Sequence, residues 1–293
     1  MSRNRFTLIA ATAAAAVAVS ACSGTAPAEP KPWPSAGAAA AAPTSAAVKT
    51  PAWKDVTVPR DTLSSDDVDH AQFGATPAPG IKIGHRKADG TKDMCTIGPA
   101  VAPEMSPSAG GFLTAGHCTA NLAPTPQYLQ SDADGPYTAF APAIGAVNAG
   151  AVDAAAIWTT GPQPRAAVAQ WPVAGVLTED GVRDLVRPGD PICVDGARTG
   201  IRCGALISAD DNGRIRYDVP TREGDSGAPV FVVDQNGRAT LIGIHKEGNG
   251  STAVATYLDG ALSRLGVKAL VDPAVAIDPQ ADPGYSDQRI LAP

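Results

Sequence analysis

Between Ile81 and about Asp272 the chain is built from short apolar runs cut by turn residues, and no run there is long enough for a helical bundle. GGFLTAG (110–116), AVDAAAIW (151–158), GDPICVDG (189–196), GAPVFVVDQNG (227–237) and ATLIGIH (239–245) are strand-length segments bounded by Gly, Pro, Asn or Asp. That texture favours an all-β body. Residues 230–243 read as a hairpin whose tight turn is Asn236-Gly237. One helical pattern emerges late, over 258–267, where Leu258, Ala261, Leu262 and Leu265 share a face and Gly266 stops the helix. The stretch 159–172, with three prolines, suggests a boundary between two halves, and the polar, proline-rich residues after Asp272 suggest a poorly ordered tail.

The N-terminus bears on the compartment. Arg3 and Arg5 precede an apolar run from Phe6 to Val19, followed by Ser20 and Ala21, the pattern of a secretory signal over residues 1–21. Val19-Ser20-Ala21-Cys22 resembles the lipobox of bacterial lipoproteins, which implies an acylated Cys22 and a membrane lipid anchor. Residues 22–80 then read as a lipidated N-terminus, an Ala/Pro-rich spacer to about Ala52 that includes the alanine run 38–42, and a linker or short pro-segment over 53–80. The expected location is extracytoplasmic, lipid-anchored at the cell membrane or secreted. With 293 residues, a net charge of −6 and scattered Lys and Arg, the chain offers no nucleic-acid surface. No further run is long and apolar enough to cross a membrane.

Five cysteines are an odd number for an exported protein. Setting Cys22 aside leaves Cys95, Cys118, Cys193 and Cys203, which can form two disulfides in three ways. No pair among them has the close spacing of a zinc knuckle, so no metal is expected.

Ser226, in EGDSGAP, lies in a glycine-rich turn that suits either a simple turn or a held nucleophile. A serine hydroxyl becomes nucleophilic only beside a base, and that base needs an orienting acid. Of the four histidines, His70 and His85 lie in polar surroundings and read as surface residues, whereas His117 follows an apolar strand in LTAGHC. Asp153 is a lone acid in an apolar run, where an unpaired carboxylate would be strongly disfavoured.

TAGHC, the downstream Asp153 and GDSGAP, in the order His, Asp, Ser, resemble the chymotrypsin-type serine peptidases. The pattern C-x-x-G-x-x-T-G-x-x-C-G over 193–204 is similar to a disulfide loop of the streptogrisin and alpha-lytic protease branch, and Cys95-Thr-Ile-Gly to the start of its first barrel. The resemblance runs from about residue 82 to 270. It implies two antiparallel six-stranded β-barrels with a cleft between them and a short C-terminal helix. The first barrel would span 81–163 and carry His117 and Asp153. The second would span 164–272 and carry Ser226, leaving 273–293 as a tail. It also implies the pairings Cys95–Cys118 and Cys193–Cys203, catalysis by His117, Asp153 and Ser226, and an oxyanion hole formed by the backbone N–H groups of Gly224 and Ser226. No cofactor is implied, the substrate is a peptide or protein, and the chain is expected to be a monomer.

Three departures stand out. Ala228 replaces a usual glycine, Val194 stands where this branch has the arginine that pairs with the aspartate before the serine, and Lys246-Glu247 occupy positions where substrate backbone pairs. Asp225 therefore needs another cation, for which Arg198, Arg202, Arg222 or a freed N-terminus are candidates. Pro220 stands where an aspartate would select Lys or Arg, whereas Thr221 and His245 resemble the residues with which glutamyl endopeptidases bind an acidic side chain. The expected activity is hydrolysis after Glu. Alternatives are an inactive peptidase-like lipoprotein that binds peptides or proteins, and an active peptidase preferring small or apolar residues.

Overall fold

The computed structural model describes residues 51–58, 72–106, 109–161 and 163–293. The signal segment, Cys22, the spacer before residue 51 and His70 lie outside the described residues.

The first half supplies seven strands: β1 (Lys82–Arg86), β2 (Lys92–Thr96), β3 (Ala100–Pro103), β4 (Gly111–Thr114), β5 (Thr125–Gln130), β6 (Tyr137–Ala149) and β7 (Val152–Trp158). β2 and β3 are separated by only three residues, and they pair with β1 and β4 respectively. They act as one bent strand, so the order β4-β7-β6-β5-β1 returns to its start and closes a six-membered barrel. β8 (Ala167–Val168) and β9 (Trp171–Val176) then lead through helix α1 (Glu179–Leu185) into the second half. There β10 (Pro191–Gly196), β11 (Gly200–Ser208), β12 (Arg214–Tyr217), β13 (Pro229–Val233), β14 (Ala239–Gly248) and β15 (Ala253–Tyr257) form a closed six-stranded antiparallel barrel, completed by the β13–β14 pairing. Helix α2 (Leu258–Leu265) and strands β16 (Val267–Val271) and β17 (Arg289–Leu291) follow.

The sequence period accounts for much of this. The expected hairpin is β13–β14, joined through Gly237, whose φ of +79° only glycine adopts readily. α2 places Leu258, Ala261 and Leu262 in the core and ends at Gly266 in the left-handed conformation. α1 carries a weaker signal, a Thr178 cap whose hydroxyl accepts from the Gly181 N–H at 2.8 Å, followed by Glu179 and Asp180. Its seven residues are too few to show a helical period.

Three expectations fail for a common reason, which is that backbone pairing orders segments that composition marks as irregular. Residues 273–293 are packed: Tyr285 is buried, Ser286 N–H donates to Val176 O at 2.8 Å, and β17 runs parallel to β16. β16 in turn pairs with β3 of the first barrel. At the start of the stretch read as linker or pro-segment, Trp53 is buried, donates from Nε1 to Leu185 O at 3.0 Å and bridges Asp234. His85 is also buried, because β1 runs between β2 and β5. Burial lowers its pKa, against a raising influence from Asp93.

Trp53→Ala is expected to destabilise the folded body by about 3 kcal/mol, the usual cost of deleting a buried tryptophan. Urea denaturation should show a lower midpoint with an unchanged slope.

Candidate active site

Three chain segments converge on the groove between the barrels. His117 lies in a short 3₁₀ turn, Gly116–Cys118, just beyond β4. Asp153 lies on β7, which pairs with β4, and is fully buried. The carboxylate meets His117 twice: Oδ1 accepts the His117 backbone N–H at 2.9 Å, and Oδ2 lies 2.7 Å from the ring Nδ1. With Asp153 ionised, Nδ1 carries the proton and donates it, leaving Nε2 as the ring's free base. Asp153 N–H donates to Thr256 Oγ1 at 3.0 Å, and that hydroxyl donates to Ala151 O at 2.9 Å.

Ser226 enters from the second barrel, on the turn before β13. Gly224 and Gly227, on either side, have φ of +100° and +92°, and a Cβ on Gly227 would lie 2.4 Å from Thr114 Oγ1. The turn is fixed to the first barrel, since Thr96 N–H donates to Ser226 O at 2.8 Å and Thr96 Oγ1 to Gly224 O at 2.8 Å. Two disulfides, Cys95–Cys118 and Cys193–Cys203, brace these regions, and the first adjoins His117. Because both its sulfurs are bonded to each other, the close grouping of Cys95, His117 and Cys118 is not a metal-ligand set.

His117 and Ser226 line one cleft of about 340 Å³, together with Asn148, Arg222, Glu223 and the strand 245–248. The Ser226 hydroxyl donates to Lys246 O at 3.3 Å. Lys246 sits in a β-bulge, where β14 slips register against β15 between His245 and Glu247. The exposed Glu247 carboxylate is 3.4 Å from Arg214.

Of the residues tied to specificity, His245 lines the cleft and is buried. Thr221 is buried, its Oγ1 has no hydrogen-bond partner, and it packs against the Cα of cleft-lining Gly248. Pro220 is exposed and stands outside the cleft lining. Behind His245 lies Tyr217, which sequence reasoning gave no role of its own. Its hydroxyl is 2.7 Å from His245 Nδ1, in a fully buried setting. Burial, reinforced by the charge of Asp225, raises the Tyr217 pKa well above its ordinary value, so the phenol keeps its proton. Burial, with a smaller influence from His117, lowers the His245 pKa to about 3. A neutral imidazole that accepts at Nδ1 must carry its proton on Nε2.

Asp225 is fully buried and its pKa is raised by burial, an effect opposed by hydrogen bonds. Three backbone amides donate to it, and the Thr199 hydroxyl lies alongside. Arg198 N–H and Thr199 N–H donate to Oδ1 at 2.8 and 3.1 Å, and Arg222 N–H donates to Oδ2 at 2.8 Å. Val194 is buried among apolar side chains of the second barrel.

The fold is chymotrypsin-like. No family model matches the chain. Among curated sequences, two uncharacterised proteins of Mycobacterium tuberculosis, from strains CDC 1551 and H37Rv, are each 36% identical over 62 residues. The match covers 20% of this chain and spans 28% of the relatives' length. Similar solved structures include Thermobifida fusca protease A, at 22% identity and a TM-score of 0.48, covering 66% of this chain and 98% of that one. A Nocardiopsis protease has 19% identity and a TM-score of 0.47, covering 69% and 98%. A glutamic-acid-specific serine protease, described as using a histidine triad in substrate binding, has 20% identity and a TM-score of 0.49, covering 66% and 100%. The fold assignment rests on the strand pairing itself.

His245 sets a pH dependence of stability. In the unfolded chain its imidazole takes up a proton near its ordinary value of 6.5, and the folded chain refuses that proton until about 3. Its contribution to stability is therefore complete above 6.5 and declines as the pH falls from 6.5 toward 3. Melting temperatures of wild type and His245→Gln across that window should show a shallower acid decline in the variant.

Proposed function

We propose that this protein is an exported serine endopeptidase, anchored through a lipid on Cys22, that cleaves after glutamate. The observation that carries the reading is the buried Asp153 carboxylate bound twice to His117, with Ser226 in the same cleft. Ser226 Oγ attacks the scissile carbonyl carbon while His117 Nε2 takes its proton, and Asp153 stabilises the resulting imidazolium. The proton then passes to the departing amine. Water, activated by the same nitrogen, releases the acyl group and restores the serine. The backbone N–H groups of Gly224 and Ser226 serve the oxyanion, where loss of one donor costs roughly 3 kcal/mol of transition-state stabilisation. The protein acts as a monomer on peptide or protein substrates and uses no cofactor.

Preference for Glu is supported by a donor in the cleft, His245, and a second one, Thr221, buried beside cleft-lining Gly248. His245 Nε2–H and the unpartnered Thr221 hydroxyl offer two hydrogens and no obligatory acceptor. A carboxylate accepts both with its two oxygens. An apolar side chain leaves both donors unpaired, a mismatch that can reach roughly 10⁴-fold in such sites.

A second reading, a peptide-binding protein without turnover, is favoured by one observation: the Ser226 hydroxyl donates to Lys246 O. A fluorophosphonate probe separates the two. Labelling of wild type and none of Ser226→Ala supports the peptidase, with peptide turnover by that variant down by about 10⁶. An unlabelled wild type supports the binder. For specificity, Tyr217→Phe frees the His245 tautomer and is expected to lower the Glu-over-Ala ratio of kcat/KM about tenfold, the worth of one buried hydrogen bond. His245→Ala should abolish the preference. Ratios unchanged in both variants would refute the acidic pocket.

A further inference from the structure

The residues preceding β1 reach into the second barrel at the one turn that holds Asp225. Gln72 makes the contact. Its backbone carbonyl accepts Lys82 N–H at 2.8 Å, joining it to β1, and its own N–H donates to Ala197 O at 2.6 Å. Its side-chain Nε2 donates to the buried Asp195 Oδ1 at 2.6 Å, to Gly196 O at 3.0 Å and to Gly80 O at 3.2 Å. The turn so gripped, Asp195–Thr199, supplies two of the three amides on Asp225. Gly196 also presses against the same carboxylate, since a Cβ there would lie 2.3 Å from Asp225 Oδ1. From the other side, Ala197 N–H donates to Thr96 Oγ1 at 3.0 Å, and that hydroxyl donates to Gly224 O.

Asp225 lies between the two residues whose N–H groups would face the oxyanion. Its carboxylate, tethered by three amides, anchors the backbone from which both N–H groups project. With Val194 at the position of the branch's arginine, no side-chain cation reaches Asp225 from β10, and the Asp195–Thr199 turn must be held by other means. We propose that Gln72 is a positioning residue for this peptidase, acting as a clamp that fixes the Asp195–Thr199 turn and, through Asp225, the oxyanion donors. The inference rests on the serine peptidase reading above. It makes the segment from Gln72 to Gly80 part of the catalytic body, so any leader that is removed ends before Gln72.

The grip is polar and directional, which suggests the test. Gln72→Met keeps the side chain's length and removes its donors, and Gln72→Ala removes both. In the full chain, both variants are expected to lower kcat on a Glu peptide about tenfold and to slow fluorophosphonate labelling equally. KM should stay near wild type, because the donors act on the charge that develops during reaction rather than on the bound peptide. The melting temperature should fall by a few degrees in both variants, since the buried Asp195 loses a donor. Wild-type kcat in both variants would overturn the clamp while leaving the peptidase intact. A loss of kcat no larger than the loss in the endpoint of probe labelling, which counts folded sites, would reduce Gln72 to a structural contact. A wild type inert to probe and peptide would overturn the peptidase reading and the clamp together.

Discussion

A carboxylate with no access to water is stable only where donors surround it, and Asp153 dictates much of the architecture for that reason. Its two oxygens fix the backbone and the ring of His117 on the adjoining strand end. Its own amide reaches Thr256 at the end of β15, so the second barrel is tied to the site at the residue that needs solvation most. Removal of either donor on His117 would leave a buried charge short of a partner, which is more costly than loss of a surface ion pair. The groove between the barrels thus has a polar floor that both barrels must complete.

The same logic recurs at Asp225, with a different solution. Where an arginine would neutralise the charge, three amides from two turns solvate it. Amides bring no net charge, and burial accordingly leaves the Asp225 pKa raised in spite of them. Such a carboxylate depends on turn geometry more than on any one side chain, so the turn itself becomes the element that must be kept in place.

The sequence discloses groups that sit in distinctive local settings and hides those that act across the fold. Ser226, His117 and Asp153 each occupy a telling stretch, and the strand runs of 110–116, 151–158 and 227–245 lie where alternation and turn residues put them. Asp225 defeated the search for its partner because backbone amides leave no trace in composition. Tyr217 carried only its alternation in the RIRY strand, Arg214–Tyr217, which turns it inward but does not say that it meets His245. His85 looked exposed because its neighbours in sequence are polar, and only the flanking strands bury it. Trp53 stands where the Ala/Pro-rich composition ends, and a large aromatic at that boundary is a hint in the sequence that ordered packing begins there.

β16 carries a consequence for how the molecule is made. It covers the free edge of β3 and is itself covered by β17, although more than half of the chain separates the two contacting segments. During ribosomal synthesis the N-terminal barrel emerges with that edge bare, and its partner strand arrives only after the C-terminal barrel has been translated. The β3 edge is therefore covered late, through a contact of long sequence separation, which slows the search for the native state and leaves an adhesive strand edge open in the meantime. A polypeptide wired in this way finishes its first barrel with its last residues, so the two ends of the folded body are completed together.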